Sequence, residues 1–143
     1  MKQIKIFSAA LMLMLISITL SSCTSDDQDI AYYLNGDWAG YVSDGGRQYN
    51  VNMTFIQNNG DYYATAGIGY EYSEWGYLHA SRTRFRWFVE NSNIYIYYED
   101  GTRVIVDYNQ LPTSTTPGSR FSGYFIEERT GYELGNFQLI RVN

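Results

Sequence analysis

The side chains best equipped for covalent or acid–base chemistry are few. His79 is the only histidine and Cys23 the only cysteine in a chain of 143 residues. A general base needs a nucleophile or a second proton-transfer group within hydrogen-bond reach, and a single imidazole implies neither that partner nor a metal-ligand cluster. One cysteine excludes an internal disulfide framework and a Cys-cluster zinc site. Fifteen carboxylates are present. Paired-carboxylate glycosidase chemistry needs two acids at a fixed separation, and no spacing singles out such a pair. The reading is therefore of a non-enzymatic protein, with no metal and no cofactor.

Recognition chemistry is better represented. Between Gly67 and Tyr77, the rings of Tyr70, Tyr72, Trp75 and Tyr77 crowd among Gly67, Gly69 and Gly76 near a turn. Glycines allow close backbone approach, and large planar rings supply contact area at low entropic cost. These four aromatics are candidate binding residues for a sugar or a protein; the alternative is that they only cap one end of the fold. Further on, Arg82, Arg84 and Arg86 alternate with Thr83, Phe85 and Trp87. With the aromatics inward, the arginines face water. With the face reversed, they become candidate anion contacts that bind a carboxylate or phosphate bidentately, although burying three unpaired cations is costly.

The elements that position these residues are strands. After Ile30 no stretch carries sustained helical periodicity. Short runs rich in Tyr, Val, Ile, Phe and Thr instead alternate with Gly, Asn and Asp clusters. Eight strands are expected, near Asp37–Ser43, Gln48–Gln57, Asp61–Tyr70, Gly76–Glu90, Asn93–Glu99, Thr102–Asn109, Arg120–Glu128 and Tyr132–Val142. A two-residue loop at Asn59-Gly60 would pair Phe55 with Ala64, Met53 with Ala66 and Val51 with Ile68, making one face apolar. A similar loop at Asp100-Gly101 would set Ile96 against Ile105, and Tyr95 and Tyr97 against Val106 and Val104. Both faces of that hairpin would then be apolar, which marks Tyr95 and Tyr97 as candidate binding residues. Asp107 would share the Ile96–Ile105 face as an inward polar group. Leu111–Ser119, with two prolines, reads as a mobile loop. Hairpins without room for crossover helices give an all-β, antiparallel, up-and-down eight-stranded barrel, or else an open or split sandwich.

The N-terminus stands apart. Lys2 and Lys5 precede an apolar run over Ile6–Leu20 that is too short to span a bilayer. It ends in Leu20-Ser21-Ser22-Cys23, which resembles the lipobox of bacterial lipoproteins. The resemblance implies cleavage before Cys23 and acylation of that residue. Residues 1–22 are then a lipoprotein signal peptide, 23–30 an acidic tether and 31–143 the domain. The mature 121 residues carry eight arginines, no lysine and 15 acidic groups, a side-chain charge of −7. That balance disfavours nucleic acid. Asp26, Asp27 and Asp29 read as a solvated spacer, or resemble the acidic export signal of Bacteroidetes surface lipoproteins. An outer-membrane location follows, with the cell surface as its outward-facing form.

Gly36-x-Trp38 at the start of the first strand, with Arg141 near the chain end, is similar to the lipocalin and wider calycin pattern. There the arginine packs across the tryptophan at the closed base of a barrel, so Gly36, Trp38 and Arg141 are expected to be structural. The likeness is to compact lipocalin-like lipoproteins of Bacteroidetes. It implies an anchored binding protein whose barrel takes a small apolar or amphipathic molecule. The alternative is an interaction module, a hydrolase inhibitor for example, that uses an exposed Tyr/Trp face over a filled barrel. A cavity of several hundred Å³ would favour the first.

Overall fold

A computed structural model describes residues 25–73 and 82–143. Helix α1 (Ser25–Leu34) is followed by eight strands. They are β1 (Gly36–Asp44), β2 (Arg47–Gln57), β3 (Ala66–Ser73), β4 (Arg82–Glu90), β5 (Asn93–Tyr98), β6 (Arg103–Gln110), β7 (Arg120–Glu127) and β8 (Glu133–Arg141). Every neighbouring pair is antiparallel, and β8 pairs back onto β1, closing the barrel in sequence order. Closure leaves no free sheet edge, which removes the sandwich alternative. The proposed signal peptide, Cys23, Trp75, Tyr77 and His79 all lie outside the described residues.

The aromatic-rich strands turn one face inward. Trp38, Phe55, Phe85, Trp87, Phe121, Phe125 and Phe137 are buried in a single core with Met53, Ile94, Ile96 and Leu139. Phe55 meets Phe85 and Trp87 edge-on at centroid distances of 5.2 and 5.6 Å, and Phe125 stacks on Phe137 at 4.5 Å. Rings in these offset and edge arrangements each gain roughly 0.5–1.5 kcal/mol beyond the area they bury.

Two registers differ from the sequence expectation. At β2–β3 the observed pairs are Phe55 with Gly69, Met53 with Glu71 and Val51 with Ser73. Asn58–Gly60 forms a 3-10 turn rather than a two-residue hairpin loop. The Gln57 side chain fixes the longer connection by donating to the carbonyls of Tyr62 (3.2 Å) and Ala64 (3.0 Å). Gly67 and Gly69 therefore face inward and Ile68 outward. The reason is steric: a Cβ on Gly69 would lie 2.2 Å from the Phe85 ring, and one on Gly67 would lie 2.9 Å from Trp87 Nε1. Only glycine fits opposite rings of that size.

At β5–β6 the loop holds three residues, Glu99, Asp100 and Gly101. Tyr98 N–H donates to the Thr102 carbonyl (2.9 Å), and Gly101 takes a φ of +94°. A three-residue loop of this kind needs a positive-φ residue at its end. The pairing slips by one: Ile94 faces Val106, Ile96 faces Val104 and Tyr97 faces Arg103. The inner face is aliphatic (Ile94, Ile96, Val104, Val106), the outer face pairs Tyr95 with Ile105 and Tyr97 with Arg103, and Asp107 is outward and exposed.

The acidic stretch read as a solvated tether is helical from Ser25. Ala31 and Leu34 are fully buried beneath the barrel, and the Asp27 carboxylate accepts the N–H groups of Asn91 (3.1 Å) and Ser92 (2.7 Å) in the β4–β5 turn. The Leu111–Ser119 connection, expected to be mobile, is tied down. Gly118 N–H donates to the Arg141 carbonyl (3.0 Å), and the Ser114 and Ser119 hydroxyls lie 2.7 Å apart.

Candidate functional site

The two ends of the barrel are built differently. The base gathers α1, the β2–β3, β4–β5 and β6–β7 connections and the chain end. There the Arg141 guanidinium lies 4.7 Å over the Trp38 ring. Arg141 Nη1 donates to the Asn35 carbonyl (2.8 Å), its Nη2 donates to the Tyr33 carbonyl, and Trp38 Nε1 donates to the Leu34 carbonyl (2.8 Å). Gly36 has φ +144°, and a Cβ there would sit 2.1 Å from Arg141 Nη1. The structure therefore brings Gly36, Trp38 and Arg141 together as one seal against the helix.

At the opposite end, the mouth, the described residues leave an opening between the β5–β6 and β7–β8 hairpins. A cavity of about 840 Å³ opens there over an apolar floor of Tyr98, Val104, Phe125 and Leu134, with Asp100, Arg103, Glu127, Glu128 and Arg129 around its rim. Arg129 and Glu127 form a 3.8 Å ion pair on that rim. Such a volume falls within the range of small-molecule sites.

Beside this floor lies a group that sequence reasoning missed. Glu71 points into the barrel, is only 1% exposed, and accepts a hydrogen bond from the Tyr98 hydroxyl at its Oε2. Burial pushes its carboxyl up to about 7; the Tyr98 hydrogen bond opposes the shift and the Asp100 charge adds to it. Burial and the Glu71 carboxyl in turn hold the Tyr98 phenol well above its ordinary range. Glu71 can thus exchange a proton near neutrality, with Tyr98 as its only hydrogen-bond partner among the described residues. Its signal in the sequence was the alternation Gly67, Gly69, Glu71, Ser73, legible once the glycines are assigned inward. Among the described residues no group of three or more His, Cys, Asp or Glu side chains could hold a metal ion.

The sequence-predicted candidates converge elsewhere, on the outer wall. Register places Tyr70 beside Arg84, Tyr72 beside Arg82 and Arg86 beside Tyr97. Arg82, Arg84 and Arg86 are exposed and point away from the interior, so they line no internal cavity. Arg82 lies 3.8 Å over the Tyr70 ring. Tyr95 stacks on Phe88 at 4.6 Å, and Tyr97 meets the same ring edge-on at 5.3 Å. Tyr70, Tyr72, Tyr95 and Tyr97 thus share one wall with the three arginines and are not part of the mouth.

Compared with known proteins, the chain matches no family model and no curated protein sequence.

Proposed function

We propose that this protein is a lipid-anchored, non-enzymatic binding protein that holds a small amphipathic molecule at the barrel mouth. The observation that carries the reading is the cavity of about 840 Å³, with its apolar floor and charged rim. An apolar body would rest on Val104, Phe125 and Leu134, and a polar end would meet the rim charges. The lower barrel is filled by aromatic rings, so the ligand is small and sits high. The Gly36–Trp38–Arg141 seal supports a lipocalin-like relationship of the Bacteroidetes lipoprotein type. Leu20-Ser21-Ser22-Cys23 supports acylation at Cys23 and an outer-membrane address, facing either the periplasm or the cell surface.

Leu134 is half-buried on the cavity floor, so Leu134→Trp fills the space without disturbing the core. Native mass spectrometry of the full chain released from detergent should show a co-purifying small molecule that is lost in Leu134→Trp. A wild-type chain that carries none, or a variant that retains it, overturns the reading.

The interaction-module alternative draws on a different observation. Phe88, Tyr95, Ile105 and Ile126 form one cross-strand row on the outer wall, each only partly covered. A glycan or protein partner on that wall would leave the mouth cavity free.

A further inference from the structure

We infer that the outer wall of β4, β5 and β6 is a binding site for an acidic oligosaccharide, a chain of hydroxyl-bearing rings with sparse carboxylate or sulfate groups. The site is a groove of about 410 Å³ lined by Arg84, Arg86, Tyr97, Glu99 and Arg103. It develops the interaction-module alternative and adjoins the mouth, sharing Tyr98, Gly101 and Arg103 with it.

Charge distribution is the first argument. The mature chain is acidic overall, yet Arg82, Arg84, Arg86 and Arg103, half of its eight arginines, lie on this one wall. Among the described residues none of Arg84, Arg86 and Arg103 forms an ion pair with a carboxylate; the pair at the rim joins Arg129 to Glu127. Three planar guanidinium forks thus retain unused donors suited to bidentate contact with a carboxylate or sulfate.

The register supplies the second argument. Arg86, Tyr97 and Arg103 are successive cross-strand neighbours on one level. The Arg103 guanidinium packs 4.7 Å from the Tyr97 ring centroid, and the Tyr97 hydroxyl donates to Glu128 Oε1 (2.9 Å). Both contacts hold the tyrosine in place, with the Arg103 guanidinium laid over one ring face and Arg86 at the neighbouring register position, so that two guanidinium groups and a fixed phenol ring form one preorganised row.

Glu99 decides the class of ligand. Its Oε1 accepts the Arg84 backbone N–H at 3.1 Å, and the residue lines the groove. A site built for dense polyanions has no use for that acceptor, whereas sugar hydroxyls donate to it. The net charge of the mature chain points the same way: long-range repulsion penalises a nucleic acid far more than a glycan carrying one charge per ring or fewer.

The test is affinity electrophoresis of the full chain through gels that contain hyaluronate (one carboxylate per disaccharide), κ-carrageenan (one sulfate per disaccharide), neutral dextran or single-stranded polynucleotide. Retardation by hyaluronate or κ-carrageenan is expected, weakening as salt is raised, with none by neutral dextran. The stronger of the two acidic gels identifies the anionic group. Arg84→Gln/Arg86→Gln, exposed changes that leave the core intact, should weaken retardation at least tenfold, whereas Leu134→Trp should leave it unchanged. The inference is overturned by retardation in neutral dextran equal to that in the acidic gels, by polynucleotide binding as strong as glycan binding, by no retardation at all, or by a double variant that behaves as wild type.

Discussion

At the base, polar groups are answered by other parts of the chain: guanidinium Nη1 and Nη2 by carbonyls, indole N–H by carbonyl, helix carboxylate by turn amides, with Arg141 Nε the one buried side-chain atom left without a partner among the described residues. At the mouth, among the described residues, the buried Glu71 carboxyl has the Tyr98 phenol as its one hydrogen-bond partner, and a cavity lies over an apolar floor between two hairpins. The base also holds the two longest connections among the described residues, 58–65 and 111–119, so short loops do not account for its order. The base joins segments far apart in sequence, Tyr33 to Arg141 and Asp27 to Ser92, whereas the hairpin tips at the mouth mostly bond within themselves. One end is therefore organised for stability. The other keeps a buried carboxyl, pushed up to about 7, beside a cavity, and perturbed titratable groups of that kind cluster at functional sites.

The sharpest way to break this contrast is at the base. Trp38→Ala removes a ring that is 1% exposed, together with the surface on which Arg141 rests. A loss of about 3–5 kcal/mol is expected from denaturant titration, and a cost below about 1 kcal/mol would mean that the base is not the stabilising end.

The next effect comes from Glu71. Its carboxyl titrates at about 7 in the folded chain against 4.5 ordinarily. Between those values the folded state therefore binds the proton that the unfolded state has released. Stability contributed by this group is fully present below about pH 4.5 and is lost as pH rises through 7, by roughly 3 kcal/mol across the window. Glu71→Gln should remove that slope, so the variant gains on the wild type as pH rises. Parallel stability–pH curves for the two proteins would show that the carboxyl carries no such penalty.

Smallest is the helix latch. Asp27→Ala leaves the Asn91 and Ser92 amides without their acceptor, and about 1–2 kcal/mol should be lost. Hydrogen exchange should rise at those two amides while protection of the mouth hairpins stays as it was. Faster exchange at the mouth as well would mean that the two ends are coupled rather than separate.

Much of this architecture could be read from the chain. The Gly/Asn/Asp punctuation marked the turns, Gly36-x-Trp38 with Arg141 announced the base, and the alternation of Arg82–Trp87 fixed the inner face of β4. What could not be read was register, because it depends on loop length. Asn59-Gly60 has the composition of a two-residue turn, but Gln57 holds a longer loop through its side-chain amide. Asp100-Gly101 needed one residue more than its composition suggested. Each slip moved side chains to the other face, hiding Glu71 inside and sending Asp107 outside. The gathering of Tyr70, Tyr97 and the arginines on one wall was likewise invisible, since it requires strands 3, 4 and 5 to be aligned. The glycine pair Gly67 and Gly69 held the clue: residues without side chains belong opposite the largest rings.

Helix α1 gives the molecule a handle. A flexible leash would let the barrel tumble and present any surface, but a rigid segment latched under the closed end transmits orientation. An attachment just before Ser25, as proposed for Cys23, would grip the barrel by its sealed pole. The open pole would then point away from that attachment, with the arginine–tyrosine wall alongside the axis between them. Loosening the Asp27 latch would thus change which way the binding surfaces face before it changed how well they bind.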